Sequence, residues 1–583
     1  MDGPSPFKVT SLFATSCTIE CMYNVTVSPV HCDRTVAQKI QIIYFTMATS
    51  YSVPTNINFL KLVKSYVSCL GHGAYGVVLK AEYSSSRCTC IKFFRNHGKI
   101  DFIPNLADLP VHPNIVKVVY FSNKQELKPE KLREILEICP PSFSEFFESQ
   151  TNSITCVQME LCGFNINDWI NREKSREISI VQQLYQVEIV LDLISGLKFL
   201  HENNIVHGNL KPTNILFSKE YDLPVKIVDF WLSRIISPLS QENDSNQDYF
   251  APEVETGNYS FQGDLYSLGL IIWEVVNLLD ISKNKKELLS DTHRTLIEKH
   301  PLLEEDIKKL IVHLTKTNVS ERFLNISELD PFTNLWDKIT IHDTTANVSN
   351  DAELRLCVHY MRSGCTINLS AGNYPGGYCL NNDAITIIGE SEKTLIECKD
   401  SVGFHVFAND CTISNVTISD REDDTGIILE GCRNKVDNII VKFSSFPSAA
   451  VYTSPTSSDC MITNVSGNYV DTGIWLDGSN HQVENIALSR NHQTKLDAIK
   501  KNHQTWDLTI LAKNSSVKNS SFDSVLIKGE NTILNGVRVK QQIVIEKNAK
   551  GTKLAECKAK ELVTSSFDEV VKYCKFDTMR GNN

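Results

Sequence analysis

Asp424-Thr425-Gly426-Ile427-Ile428-Leu429-Glu430-Gly431 returns as Asp471-Thr472-Gly473-Ile474-Trp475-Leu476-Asp477-Gly478, 47 residues further on. Val436-Asp437-Asn438-Ile439 and Val483-Glu484-Asn485-Ile486 keep the same shift. An intermediate copy halves it, because Gly403 precedes Asn415 by the interval at which Gly426 precedes Asn438. The unit is therefore roughly 23 residues, a solenoid period. Each unit holds short β-branched runs punctuated by Asn, Gly and Asp, so the repeating element is a strand. Asn recurs between two strands at Asn415, Asn438, Asn464 and Asn485, with Asn519 and Asn535 as looser matches. A stacked coil explains the recurrence. Asn tolerates the left-handed backbone, and its amide can bond the residue one coil above or below. The spacing lapses after Asn485. There the duplicated Asn491-His492-Gln493-Thr494 and Asn502-His503-Gln504-Thr505 predict a protruding loop.

Working outward, this texture begins at about residue 337. The helical pattern from Asp351 to Met361 predicts a cap on one open end, and Ser566 with Glu569 reads as the capping box of a helix near the other. Upstream, from about 59 to 336, strand-like and helix-like segments alternate, among them Val77-Val78-Leu79-Lys80 and the helical spacing of Ile180 to His201. The expected organisation is an extension over 1–58, for which Met47 offers an alternative start, a domain over 59–336, a linker and capping helix over 337–364, and the solenoid with its cap over 365–583. A chain of 583 residues is too long for one core. At 42% hydrophobic and 22% charged it has ordinary globular composition. Its net charge of -11 argues against broad nucleic-acid binding and leaves room only for a local basic patch. Eighteen cysteines without a paired Cys-x-x-Cys set predict free thiols in a reducing cytosol and no zinc. There is no basic segment followed by an apolar run at the start, so no signal peptide is expected. Leu265 to Leu279 is apolar but short and holds Glu274 and Asn277, which predicts a buried helix and no membrane span.

Phosphate chemistry enters with Gly71-His72-Gly73-Ala74-Tyr75-Gly76-Val77-Val78, a Gly-x-Gly-x-x-Gly-x-Val loop whose glycines let backbone amides approach phosphates. Alone it is a weak signal. It is followed in order by Cys90-Ile91-Lys92, His112-Pro113-Asn114-Ile115-Val116, His207-Gly208-Asn209-Leu210-Lys211-Pro212-Thr213-Asn214, Asp229-Phe230-Trp231 and Ala251-Pro252-Glu253, with Asp264 and Arg322 beyond. This ordered set resembles a eukaryotic protein kinase domain over residues 59 to 336. Gln158-Met159-Glu160-Leu161-Cys162 and Asp168-Trp169-Ile170 look most like the kinases that phosphorylate the alpha subunit of translation initiation factor two. The repeat, over about 365 to 560, resembles the right-handed parallel β-helix of the pectate-lyase-like group. The implied fold class is multidomain: an α+β bilobal kinase-like domain followed by an all-β right-handed parallel β-helix.

The kinase resemblance implies ATP and Mg2+ as ligands. By it, Gly71, Gly73, Gly76, Val78 and Lys92 face nucleotide, Met159 is the gatekeeper, the backbone of Glu160 and Cys162 meets adenine, Lys211 contacts the γ-phosphate, and Asn214 and Asp229 hold metal. Asn209 occupies the position of the catalytic Asp. A neutral amide is a poor base, and loss of general-base help costs about 100- to 10,000-fold. Gly208 replaces the Arg that reads a phosphorylated activation loop, Trp231 replaces the Gly after Asp-Phe, and Ser245-Asn246 replace a Gly-Thr pair. No Glu lies between Lys92 and His112, and Asp101 is the nearest acid that could partner Lys92. Bland alternatives stand beside these roles: Lys92 as a solvated strand lysine, Asn214 and Asp229 as hydrogen-bonding anchors, Glu253 with Arg322 as a structural ion pair. On the solenoid, Asp424, Asp471 and Asp477 are candidate acids, though Asp before Thr-Gly suits a turn, and His405 and His481 read as surface or packing residues. Three functions follow: a nucleotide-binding pseudokinase with an interaction solenoid for protein partners, an active atypical Ser/Thr kinase, or a glycan-binding or glycan-cleaving β-helix under kinase-like control. All are expected in the cytoplasm.

Overall fold

The computed structural model describes residues 59–73, 76–83, 88–94, 109–143, 147, 154–175, 179–230, 248–256, 259–279, 305–332, 344–398, 402–420, 425–443, 449–469, 472–490, 506–564 and 570–581. They form two units, one built from segments up to Gln158 and one that holds Asn114–Val118 and everything from Met159 onward.

The first unit is a five-stranded sheet in the order β1-β2-β3-β5-β4, from β1 (Val63–Gly73), β2 (Gly76–Tyr83), β3 (Cys88–Phe94), β4 (Val118–Gln125) and β5 (Ile154–Met159). Alternation in β2 sends Val77, Leu79 and Ala81 to one buried face, where they meet Ile91, Phe93 and Ile154. Helix α1 (Pro129–Ile138) opens with proline in its first turn, where the missing N–H costs nothing, and adds Ile135 to this core.

In the second unit, α2 (Ile166–Glu173) is capped by Asn165, whose Oδ1 accepts from Asp168 N–H at 2.9 Å. Helix α3 (Ile180–Glu202) is apolar on nearly every side and is correspondingly buried all round. A two-stranded ribbon follows, β6 (Ile215–Lys219) against β7 (Asp222–Ile227). Helix α4 (Phe261–Asn277) is the buried helix expected over Leu265 to Leu279. Ser260 caps its start, Leu278 ends it at φ 53°, and Trp273 is fully buried within it. Its internal acid is satisfied, since Glu274 accepts from Tyr249 Oη at 2.8 and 2.9 Å. Helix α5 (Glu305–Leu314) packs beside it. No helix among the described residues is long and apolar enough to cross a membrane.

The rest is a parallel β-solenoid of about nine turns. It starts earlier than the expected boundary at 365. β8 (Thr345–Val348) already pairs in parallel with β9 (Thr366–Leu369), so the first rung precedes the cap. The cap is α6 (Asp351–Tyr360), as the helical pattern predicted. Asn350 Oδ1 accepts from Glu353 N–H at 3.0 Å, and Glu353 Oε2 reaches back to Ser349 N–H at 2.7 Å. This helix lies against α3, where Tyr360 Oη donates to Glu188 Oε2 at 2.7 Å. Along one wall the register runs Ile387, Ile413, Val436, Ile462, Val483, Val517, Leu534 and Leu554, all buried. Ile427 and Ile474 sit two rungs apart through Val451, which is why the sequence repeats at double the coil length.

Asn415, Asn438, Asn464, Asn485 and Asn519 take φ between 46° and 58° at one corner of successive coils. Asn438 Nδ2 donates to Asn415 Oδ1 at 2.6 Å and Asn485 Nδ2 to Asn464 Oδ1 at 3.2 Å, while Asn464 Nδ2 turns to Asp437 at 2.7 Å. The expectation for Asn535 is corrected. Asn535 pairs with Lys518, one residue short of the corner, and Gly536 at φ 66° turns the chain. The C-terminal helix expectation is also corrected. Ser566 and Glu569 lie outside the described residues, but Val570–Lys572 and Lys575–Gly581 are strands that continue the stack. The β-branched pair Val570-Val571 favours the strand. The two Asn-His-Gln-Thr copies also lie outside the described residues.

Candidate active site

In the first unit, β1 and β2 close as a hairpin with Gly73 opposite Gly76. A Cβ added at Gly71 or Gly73 would meet nothing within 4 Å, so their backbone is open to a ligand. Gly76 differs: a Cβ there would fall 2.0 Å from the Phe93 carbonyl oxygen, so this glycine serves strand packing. Val78 is the cross-strand partner of Lys92. Lys92 is 6% exposed, and its Nζ lies 5.8 Å from the centroid of the Phe94 ring. Burial removes the reading of a solvated strand lysine, since a buried ammonium is kept only where charge is compensated. Asp101 lies outside the described residues.

In the second unit, Met159 is buried at the end of β5. Glu160 donates its N–H to Lys117 O at 3.1 Å, so an adenine contact from this residue would use its carbonyl. Its carboxylate is structural: Oε1 accepts from Lys117 N–H at 2.7 Å and pairs with Lys226 Nζ at 3.0 Å. Burial, reinforced by the Glu160 charge, pushes the Cys162 thiol up to about 12, so it stays protonated. Gly163 then passes hard against the β6–β7 turn, where a Cβ would come within 2.2 Å of Glu220 N. Asp168, Trp169 and Ile170 serve α2 itself, with Trp169 and Ile170 in the core.

The loop from His207 to Asn214 is suspended from one carboxylate. Asp264 Oδ2 accepts from His207 N–H at 2.7 Å and contacts His201 Nε2 at 3.0 Å, and Oδ1 accepts from Gly208 N–H at 2.7 Å. His207 is fully buried. Its Nε2–H donates to Val228 O at 3.0 Å while Nδ1 accepts from Asn209 N–H at 3.2 Å, and burial lowers its pKa so that the neutral ring is kept. Asn209 O accepts from Asn214 Nδ2 at 2.8 Å. Asn214 O in turn accepts from Val228 N–H at 3.0 Å, which ties the loop to Asp229. Asn214 N–H also donates to Lys211 O at 2.9 Å, so Asn209, Lys211 and Asn214 share one hydrogen-bonded frame, and Asp229 follows Val228 directly. Asn209 and Asn214 are buried and Lys211 half-buried. Asp229 takes φ 62° and is followed by a buried Phe230. Trp231, Ser245 and Asn246 lie outside the described residues.

Glu253 and Arg322 form a two-pronged pair, Oε1 to Nη1 at 2.7 Å and Oε2 to Nη2 at 3.1 Å, with the guanidinium fully buried. Sequence reasoning did not single out Asp192, Lys226 or Gly163. Asp192 accepts from Asn114 Nδ2 at 2.6 Å and Val225 N–H at 2.9 Å, and burial with the nearby Glu188 raises its pKa. An acid among the apolar residues Ile189, Val190, Leu191 and Leu193 was its only signal. On the solenoid, Asp424 and Asp471 lie outside the described residues. Asp477 Oδ1 accepts from Gly478 N–H at 2.8 Å, which is turn chemistry. His481 is fully buried, donating to Asp477 O at 2.6 Å, and His405 pairs with Glu430 at 2.8 Å.

The sheet of the first unit and the helices and loop of the second are the parts of a kinase-like α+β domain. Residues 65–329 match the family model for the protein kinase domain, so the chain carries a protein kinase domain followed by a parallel β-solenoid. Curated relatives are Ser/Thr kinases at a distance. The chain is 31% identical over 193 residues to serine/threonine-protein kinase atg1 of Dictyostelium discoideum, 32% of this chain and 28% of that protein. It is 27% identical over 223 residues to probable serine/threonine-protein kinase kinX of the same organism, 36% of this chain and 18% of that protein. It is 28% identical over 167 residues to calcium-dependent protein kinase 6 of Plasmodium berghei, 27% of this chain and 11% of that protein. The chain therefore spans under a third of each relative's length. A kinase domain implies ATP and Mg2+, and the donor set fits them. Asn214 spends its amide nitrogen on Asn209 O, so its Oδ1 is the atom of this side chain that would take a hard cation, and Asp229 would supply a carboxylate.

Proposed function

We propose that the chain is a nucleotide-binding pseudokinase whose solenoid serves as a surface for protein partners. The observation that carries this reading is Asn209, a buried amide at the position of the catalytic base inside an otherwise intact loop frame. With ATP and Mg2+ bound, Lys92 and the open glycines Gly71 and Gly73 would hold phosphates, and Asn214 and Asp229 the metal. Nothing at 209 then takes the hydroxyl proton of an incoming substrate, because a carboxamide has no basic lone pair of use at neutral pH. Binding without turnover makes the nucleotide a conformational ligand, stabilising whichever state it prefers. Thermal-shift titration of the full chain with ATP and Mg2+ tests this. A saturable rise that Lys92→Met abolishes supports it, and no shift together with no competition by an adenine-site ligand rejects it.

The active-kinase alternative has one observation in its favour. Lys92, Lys211, Asn214 and Asp229 all survive, and phosphoryl transfer is largely positioning and charge stabilisation. A radiolabelled-phosphate assay decides between the two. Incorporation by the natural chain that disappears in Lys92→Met and Asp229→Ala would establish the second reading.

A further inference from the structure

The last coils of the solenoid hold a row of cations that the fold does not neutralise. Arg538, Lys558 and Lys575 are direct partners in the register of strands Arg538–Ile545, Lys558–Thr564 and Lys575–Gly581. All three are exposed, and none makes a side-chain hydrogen bond or ion pair among the described residues. In-register neighbours in parallel strands lie about 4.8 Å apart, so three positive charges stack within about 10 Å. Like charges placed directly opposite destabilise a sheet. Elsewhere in these coils cations have partners: Lys540 pairs with Asp523 at 2.8 Å, Lys528 with Glu546 at 3.0 Å and Arg580 with Glu561 at 3.0 Å. One coil earlier the same row holds Ser521, so the cations begin at Arg538.

We infer that this row is a docking site for a short acidic segment of a partner protein, its anions supplied by carboxylates or by phosphorylated side chains. The inference rests on the reading of the solenoid as a protein-binding surface and names the partner's chemistry. The spacing suits an extended segment, because three cations in a line can meet clustered anions on one peptide and relieve their mutual repulsion at once. The footprint is three coils, too small for a duplex. The chain's net charge of -11 would repel a nucleic acid or an anionic bilayer at long range, whereas a few peptide charges meet mainly the local field.

Fluorescence anisotropy on the full chain tests it with labelled twelve-residue probes: an Asp/Glu-rich peptide, the same backbone with phosphoserines, and a neutral control. Either anionic probe should bind and the neutral one should not. Binding should weaken as salt rises, and the triple change Arg538→Gln, Lys558→Gln, Lys575→Gln should lower affinity about tenfold or more. These side chains are exposed, so the variant should keep its circular-dichroism spectrum and its melting temperature. As a second variant, Lys513→Gln lies off the row and should bind as the natural chain does. Equal binding by the triple variant, or preference for single-stranded RNA or phosphatidylserine vesicles over both peptides, overturns the proposal. Failure of both peptides while the solenoid still retains a protein partner through another face would sink the row alone. Failure of every partner assay would sink the broader reading.

Discussion

Gly208 takes φ 68°, a conformation that costs a residue with a Cβ about 1–2 kcal/mol. Glycine takes this turn without a Cβ penalty, while its N–H stays fixed to Asp264. The loop is held by backbone and amide contacts that do not depend on the side chain at 209, so the missing carboxylate should be restorable. Asn209→Asp should raise phosphate transfer by about 100-fold or more, measured with radiolabelled ATP and the Lys92→Met background as control. An unchanged rate would place the block elsewhere in the domain. The Glu253–Arg322 pair sets a different scale. Removing its acid strands a guanidinium with no exposure, so Glu253→Ala should cost about 3 kcal/mol, read as a fall in calorimetric melting temperature. At this scale the catalytic-loop residues were legible because their order along the chain is itself a pattern. Asp192 and Lys226 were not, because their partners Asn114 and Glu160 are distant in sequence and meet them only after folding.

The solenoid corner shows what an element adds. Asn438 sits at φ 52° and donates to Asn415. Asn438→Ala should cost about 1–2 kcal/mol in urea unfolding, since alanine pays the left-handed penalty and loses the bond. Asn438→Gly should cost less, because glycine keeps the conformation. Equal losses would show that the amide ladder, and not the backbone, fixes the corner. The Asn period made these corners readable down to Asn519. It misplaced the next one because Gly536 does the same work without an amide, and because the later coils are shorter. His481 gives the element a pH response. Burial lowers its pKa, with Asp477 and Asp459 opposing. The unfolded ring takes a proton near pH 6.5, which the folded ring resists. Stability is therefore full above that value and falls as pH drops below it. Urea midpoints should decline from pH 7.5 to 5.5, and His481→Gln should flatten that decline.

Across the whole molecule, α3 carries two duties. One part of it holds β7 through Asp192, which accepts from Asn114 Nδ2 and Val225 N–H, and Glu188 meets the solenoid cap at Tyr360. The sequence separates these regions cleanly at the change of texture near 337, but it gives no sign that the cap helix and α3 share a face, because neither helix carries a periodicity that names its neighbour. Tyr360→Phe removes a hydrogen bond to a charged group, worth about 1.5–3 kcal/mol at most and less for partial exposure. In that variant the melting of α3 and of the solenoid start should move apart relative to the natural chain. Hydrogen exchange would show faster exchange over Asp351–Tyr360, with the later coils unchanged.

The corner positions also fix something about tolerance. From Asn464 to Asn485 there are 21 residues, from Asn485 to Asn519 there are 34, and from Asn519 to Gly536 only 17, yet the rungs on either side stay in register. Coil length is therefore nearly free, and only the corners are quantised. Such a chain can accept insertions one coil at a time without renegotiating its fold. A foreign sequence spliced after Arg490 and before Trp506 spares the buried Asp507, which accepts from Ile474 N–H and Ser524 N–H, and should leave the stack undisturbed, which makes the molecule a natural host for grafted sequences.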